Sequence, residues 1–208
     1  PAPALPLVKD PAVAGGVSFK RRQARLQSAD WQRLKQKAKQ HQLTPSVLLL
    51  TAYSQILRRW SDGQDHTLNL TLFDRQPVHP EIGQVLGDFT ALAPVAFRQV
   101  PGESLLTQAR AAQQEIAQVL EHKAVSSIWV QREQARHSSQ SAAALPVVFT
   151  STLGLGEGLF ESSANQFPAL VAGGLSETPQ VWLDHQLYEY DGQLVLCWDA
   201  AEALFPTG

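Results

Sequence analysis

Residues 181–198, VWLDHQLYEYDGQLVLCW, predict two adjacent strands joined by a tight turn. Strand-forming residues fill Val181 to Tyr188 and Leu194 to Trp198, and the pair Asp191-Gly192 between them is typical of a hairpin turn. The first strand carries a carboxylate, Asp184, among these strand formers. Its neighbour His185 points to the opposite face of a strand, so the pattern does not make the two a catalytic pair.

Helices and strands alternate outward from this hairpin. Thr44-Pro45 supplies a helix N-cap and a first-turn proline, and Ser28 is predicted to cap the preceding helix. Period-two alternation marks the remaining strands, and apolar residues at helical spacing mark the later helices. The predicted strands cover 17–26, 66–73, 92–97 and 147–153, and the later helices cover 103–121 and 126–136. This alternation indicates an α/β layered domain.

Polar residues stand in three of these strands among apolar neighbours. Asn69 and Thr71 share one face of their strand, Thr150 lies near the end of another, and Asp184 lies inside the hairpin. Each has an ordinary interpretation. A strand aspartate faces solvent, a threonine has high β-propensity, and an asparagine bonds across a sheet edge. From the residues alone, this interpretation and a functional one both stay open.

The composition is that of a globular protein and excludes several functions. The 208 residues contain 17 Lys and Arg against 19 Asp and Glu, which speaks against a general electrostatic mode of nucleic-acid binding. No apolar run reaches the roughly 18 residues of a membrane span. Six scattered histidines and one cysteine, Cys197, lack metal-ligand spacing. We therefore predict no metal site, no nucleic-acid partner and no membrane association, and we expect a cytoplasmic protein.

The chain contains no methionine and starts with Pro1-Ala2-Pro3, which indicates a piece of a longer protein. Residues 1–16, rich in Pro, Ala and Gly, predict an extended connector, and residues 17–208 predict one lobe. Residues 154–176 predict a long loop whose glycines flank apolar residues. We hypothesise that this loop crosses to another lobe. A loop packed on its own lobe is the alternative.

A series of short motifs runs in order along nearly the whole chain. It comprises Pro3-Ala4-Leu5-Pro6-Leu7, Thr44-Pro45, Leu68-Asn69-Leu70-Thr71, Gly87-Asp88-Phe89-Thr90, Pro146-Val147-Val148-Phe149-Thr150-Ser151, Ser176-x-Thr178-Pro179-Gln180-Val181-x-Leu183-Asp184 and Trp198-Asp199. Together these motifs resemble the heterocyclization domain of nonribosomal peptide synthetases, a branch of the condensation-domain family. Glu177 and Pro94 depart from the usual pattern, and the family's upstream Asp-x-x-x-x-Asp signature is not in the chain. The resemblance therefore covers only the C-terminal lobe.

The resemblance implies a chloramphenicol-acetyltransferase-like α/β lobe, in which a mixed β-sheet is packed with helices. It implies a tunnel between this lobe and a missing N-terminal lobe, with an adenylation domain as neighbour. Phosphopantetheine arms of donor and acceptor carrier proteins, peptidyl or aryl, would enter the tunnel, and the lobe itself is expected to bind no cofactor. One arm brings an acyl or aryl thioester and the other brings Cys, Ser or Thr. The family forms an amide and then cyclodehydrates it to a thiazoline or oxazoline.

The same resemblance suggests catalytic roles for three of the polar strand residues. Asp184 matches the carboxylate that would accept and return protons during ring closure, a step that needs such a group near the reacting atoms. Thr150 matches the motif threonine, whose hydroxyl would position Asp184 or the leaving oxygen. Asn69 would orient the substrate. Structural roles are expected for Asp88, Gln186 and Asp199.

Two other functions remain open from the sequence. An ordinary amide-forming condensation domain is the first, and a scaffold lobe without activity of its own is the second. We expect the 208-residue chain alone to be inactive, because one wall of the implied tunnel lies outside it.

Overall fold

A mixed β-sheet organises the computed structural model, which describes residues 1–9, 18–61, 63–98, 100, 102–137, 145–154 and 180–206. The strands in these residues are β1 (Phe19–Leu26), β2 (His66–Phe73), β3 (Thr90–Phe97), β4 (Val147–Ser151), β5 (Leu183–Tyr190) and β6 (Gln193–Ala201). Their order in the sheet is β1-β6-β5-β4-β2-β3. Strand β4 runs parallel to β2 and β5, and the other neighbouring pairs are antiparallel. The predicted mixed sheet is confirmed.

The helices begin close to their predicted starts. They are α1 (Ser28–Gln40), α2 (Pro45–Trp60), α3 (Leu105–Glu121) and α4 (Ser127–His137). The Thr44 hydroxyl accepts a hydrogen bond from the Val47 N–H at 3.2 Å, so the predicted cap of α2 is confirmed. The predicted cap of α1 is wrong: Ser28 is the first helical residue, and Gln27 precedes it without a side-chain cap bond. A cap needs extended backbone, which Gln27 adopts.

Alternation along the strands gives the sheet one apolar and one polar face. The strand residues of the main core are Leu68, Leu70, Ala93, Val95, Val147, Phe149, Leu183, Leu187, Leu194 and Ala200. They pack against Trp31 of α1 and Leu57 of α2 on the helix side of the sheet. The intervening residues, which include Asn69, Thr150 and Asp184, point to the opposite face, as the alternation predicts.

The hairpin turn has the backbone conformation that its sequence predicts, and the start of the chain is hydrogen-bonded to the rest of the lobe. Asp191 and Gly192 both have positive φ angles, 50° and 66°, as a tight hairpin turn requires. At the chain start, the Thr67 N–H donates to the Pro1 carbonyl at 2.7 Å and the Val8 N–H donates to Leu204 at 2.8 Å. Residues 10–16 of the predicted connector, and the predicted loop 154–176 beyond Gly154, lie outside the described residues.

His185 is an aromatic component of the core on the helix side of β5. Its ring stacks on Trp198 with 4.6 Å between ring centroids and lies 4.5 Å from the ring of Tyr53. Nδ1 lies 2.9 Å from the Cys197 carbonyl oxygen, which can only accept, so Nδ1 carries the proton. Burial lowers the pKa of His185 to about 4, despite the opposing effect of this hydrogen bond. The ring is therefore neutral at pH 7.

Acid is expected to destabilise the fold through His185. Below pH 6.5 the unfolded residue takes up a proton, whereas the folded residue does so only near pH 4. The free energy of unfolding therefore falls as the pH drops through this window, by about 3 kcal/mol in total. Urea unfolding at about pH 7.5 and at about pH 4 measures this loss. Between these two pH values, the free energy of unfolding should fall by about 3 kcal/mol less in His185→Asn than in the wild type.

The comparison also controls for the second buried histidine. Burial lowers the pKa of His66 as well, but His66 is present in both proteins, so its contribution cancels. Equal losses of stability in the wild type and in His185→Asn would contradict the assignment.

Candidate functional site

The polar face of the sheet brings candidate residues from separate strands into one row. Across β2, β4, β5, β6 and β1, the register places Asn69, Val148, Asp184, Asp199 and Arg21 side by side. The next row contains Thr150, Gln186 and Cys197. Because paired residues on neighbouring strands share a face, these side chains can contact each other across the sheet.

Asp184 and Thr150 meet on this face, as their proposed roles require. The Asp184 side chain is buried, with the residue 6% exposed. The Thr150 hydroxyl lies 3.5 Å from Asp184 Oδ1, at the outer limit of a hydrogen bond. The same hydroxyl lies 2.8 Å from the hydroxyl of Thr71 on β2. Thr150 can therefore accept a hydrogen bond from Thr71 while donating to Asp184.

The other carboxylate oxygen of Asp184 is held by Gln186. The Gln186 side-chain N–H donates to Asp184 Oδ2 at 2.8 Å, and its Oε1 accepts from Arg21 Nη2 at 3.1 Å. Arg21 in turn donates twice to Asp199, from Nε at 2.7 Å and from Nη2 at 2.5 Å. Asp199 is wholly buried, with 0% exposure.

Asn69 lies apart from Asp184 and Thr150. It lies in the same row as Asp184, but Val148 of β4 stands between them. Its side-chain N–H donates to the Leu145 carbonyl at 3.1 Å. Its Oδ1 is buried and has no hydrogen-bond partner among the described residues. The Asn69 Oδ1 acceptor is therefore unused within the described part of the chain.

A cleft of about 920 Å³ opens over Asp184 and Thr150. Its sheet residues include Thr71, Val148, Thr150, Asp184 and Gln186, and it is also lined by residues 122–128, which connect α3 to α4 and start α4. Asp88 lies at the edge of the cleft, where its carboxylate accepts a hydrogen bond from the Thr90 N–H at 2.8 Å. Asp88 is fixed to its own loop by this bond.

The negative charge of Asp184 also affects the pKa of a tyrosine on the helix side of the sheet. Tyr53 of α2 is buried, and its hydroxyl has no hydrogen-bond partner in the described part of the chain. Burial raises the pKa of Tyr53 above its ordinary value, and the negative charge of Asp184 adds to this effect. The Tyr53 phenol therefore stays protonated.

Sequence reasoning found part of this site and missed the rest. The sequence predicts a structural role for Gln186, although the position of Gln186 two residues after Asp184 on a strand puts both side chains on the same face. The sequence pattern marks Thr71 as a polar residue of its strand but does not predict its bond to Thr150. Arg21 gave no local signal, because Gln186 and Asp199 lie 165 and 178 residues away in sequence.

Two searches of the described residues were negative. Within the ranges given above, no group of three or more His, Cys, Asp or Glu side chains could hold a metal ion. In the same ranges, no helix combines the length and apolar character needed to cross a membrane.

Comparisons with known proteins place the chain in a family. The family model for the Condensation domain matches residues 1–205. Pyochelin synthetase PchF of Pseudomonas aeruginosa (strain UCBPP-PA14) is 38% identical over 207 residues, which are 99% of this chain and 11% of that protein. Phenyloxazoline synthase MbtB of Mycobacterium tuberculosis is 33% identical over 214 residues, covering 98% of this chain and 15% of that protein. The chain thus spans a small part of these relatives.

A solved structure shows the same architecture. The EpoB NRPS cyclization-docking bidomain from Sorangium cellulosum superposes with a TM-score of 0.84 at 37% identity, over 99% of this chain and 41% of that one. The likeness in sequence and in structure extends over the whole sheet that carries Asp184. The chain's relatives include heterocyclization-type domains of nonribosomal peptide synthetases, and it forms one lobe of a chloramphenicol-acetyltransferase-like fold. The chain therefore belongs to the condensation-domain family.

Proposed function

We propose that the chain is part of a heterocyclization domain. The domain would join a carrier-bound acyl or aryl thioester to Cys, Ser or Thr and cyclodehydrate the amide to a thiazoline or oxazoline. The observation that carries this proposal is the buried Asp184 carboxylate, held by Gln186 and next to Thr150 in the cleft. The similarity to a phenyloxazoline synthase and to a cyclization bidomain supports it.

Ring closure moves two protons to one oxygen. The thiol or hydroxyl of the acceptor residue adds to the amide carbonyl carbon and gives a tetrahedral carbon that bears a hydroxyl group. The C–OH bond then breaks while the C=N double bond forms. The departing water contains the former carbonyl oxygen, the proton of the nucleophile and the proton of the amide nitrogen. A group that accepts a proton and returns it to the leaving oxygen lowers this barrier.

Asp184 is the proposed proton carrier. Its carboxylate lines the cleft, and Gln186 occupies one of its oxygens, so Oδ1 on the Thr150 side is the atom assigned to proton transfer. Thr150 would donate to the leaving oxygen or keep Asp184 in place. Asn69 would orient the substrate through its buried Oδ1, which can accept a hydrogen bond from an amide N–H.

The cleft is large enough for the proposed substrates. Its volume of about 920 Å³ lies near the upper end of the roughly 300–1,000 Å³ of small-molecule pockets. The thioesters would arrive on phosphopantetheine arms of donor and acceptor carrier proteins, and an N-terminal lobe would supply the facing wall. An adenylation domain would be the neighbour that loads the acceptor carrier.

Asp184→Asn in the intact synthetase is expected to stop ring formation while the fold survives. Asparagine keeps the size of the side chain but cannot carry a proton, and general acid–base groups contribute about 10²- to 10⁴-fold to a rate. Mass spectrometry of the released product would show the linear amide without loss of water. Asp191→Asn, the same change at the exposed turn that ends β5, should leave the product ring intact. Ring formation by Asp184→Asn at the wild-type rate would refute the assignment.

Thr150→Val is expected to slow cyclodehydration more than amide formation. Valine is close in shape but lacks the hydroxyl, so the contact with Asp184 is lost while packing is kept. Loss of a hydrogen bond to a charged group corresponds to a rate decrease of about 10-fold or more. The linear amide should accumulate in a time course. Thr152→Val is the control, because the Thr152 hydroxyl bonds to the Leu187 carbonyl instead. A parallel decrease of both products would assign Thr150 to folding or to an earlier step.

A further inference from the structure

Arg21 and Asp199 form an ion pair, with Asp199 buried and the Arg21 side chain 22% exposed, that strand pairing does not need. Strand β1 already pairs with β6 from Phe19 to Leu26 through backbone hydrogen bonds. The desolvation of a carboxylate that is 0% exposed offsets much of the attraction to Arg21. Apolar residues of similar volume often replace such a pair without loss of stability. The pair therefore points to a task other than holding β1 in the sheet.

The Arg21 guanidinium determines which way the Gln186 amide faces. An arginine carries only hydrogen-bond donors, so the Gln186 atom 3.1 Å from Arg21 Nη2 has to be the carbonyl oxygen. The amide nitrogen then faces Asp184, where it donates at 2.8 Å. A flipped amide would place its oxygen against the Asp184 carboxylate and its N–H groups against Arg21, and both contacts would be repulsive.

Arg21 also neutralises one of two carboxylates that share one face of the sheet. Asp184 and Asp199 are direct cross-strand partners on β5 and β6. Like charges at such positions destabilise a sheet. The two hydrogen bonds from Arg21 neutralise Asp199 and turn its oxygens toward β1. Asp184 can then carry its negative charge toward the cleft.

We propose that Arg21 is a positioning residue for ring closure: paired with Asp199, it orients Gln186 so that the amide N–H holds the Asp184 carboxylate beside Thr150. The inference rests on the proposed function. Arg21 is assigned no contact with a reacting atom, and it orients the Asp184 carboxylate through Gln186. The ion pair near the edge of the sheet thus helps to fix the position of the Asp184 carboxylate, which lies two strands away from Arg21.

The test uses variants of the intact synthetase. Arg21→Met combined with Asp199→Leu removes both charges together, so no unpaired charge is buried. Gln186→Leu removes the donor to Asp184 directly. Arg22→Met is the matched control, because Arg22 on the same strand pairs with the partly exposed Glu202. Arg21→Lys is the alternative if the double variant does not fold, since lysine keeps the charge but lacks the planar fork that reaches two partners.

Ring closure should slow in the double variant by about 10- to 100-fold, while amide formation stays near the wild-type rate. Gln186→Leu should give a similar loss, and Arg22→Met none. Adding the double change to Gln186→Leu should cause no further loss, because both act through one contact. Wild-type ring closure in the folded double variant, or in Arg21→Lys if it is needed, would overturn the proposal. The proposal would also be overturned if the rate losses of the double variant and of Gln186→Leu multiplied when all three substitutions were combined.

A second readout does not depend on turnover. Carboxyl ¹³C NMR of the Asp-labelled domain, with Asp184 assigned from the Asp184→Asn spectrum, follows its titration. Loss of the Gln186 donor should move the midpoint for Asp184 to higher pH in the double variant and in Gln186→Leu, but not in Arg22→Met. An unchanged midpoint in the first two would overturn the positioning role. If the wild type makes linear amide and no ring, the proposed function fails, and this titration still decides the role of Arg21.

Discussion

The register between β4 and β5 determines where each candidate group of the site lies. It pairs Val148 with Asp184 and Thr150 with Gln186, so the polar side chains of both strands reach the same face. A slip of one residue would turn Asp184 into the apolar core and bring His185 to the cleft. Burial of the core residues on the helix side of the same strands prevents this slip. The geometry of the polar face therefore depends on apolar packing on the other side of the sheet.

Charge placement is the second constraint on the site. Asp184 and Asp199 are neighbours on one face, and only one of them lines the cleft. The other is neutralised by Arg21, which belongs to the edge strand β1. Because Asp199 is buried, the desolvation of its carboxylate offsets much of the attraction to Arg21, so the pair contributes more to the geometry of the site than to stability. The site thus extends across the sheet to an edge strand that does not border the cleft.

The lobe supplies rigid positions for side chains. The chain spans 41% of the related cyclization-docking bidomain. Strands β4 and β5 each have a neighbour on both sides, which fixes their backbone better than a loop would be fixed. Asp184 and Thr150 both lie on these central strands. The polar groups of the cleft are therefore held before any substrate enters it.

Local patterns in the sequence determined the secondary structure and the face on which Asp184 and Thr150 lie. Alternation, the Thr44 cap and the Asp191-Gly192 turn act between residues a few positions apart, so they can be read without knowing the fold. The misassigned cap of α1 shows that even a local signal depends on the backbone conformation of one residue.

Only the tertiary structure decided the partners of Asp184. The sheet order β1-β6-β5 places the first strand of the chain beside the last, and it thereby brings Arg21 to Asp199 and Gln186. The bond between Thr71 and Thr150 likewise follows from strand neighbours that are distant in sequence. Hydrogen-bond partners at such separations are set by sheet topology, which hydrophobic alternation leaves undetermined because the same alternation fits many strand orders.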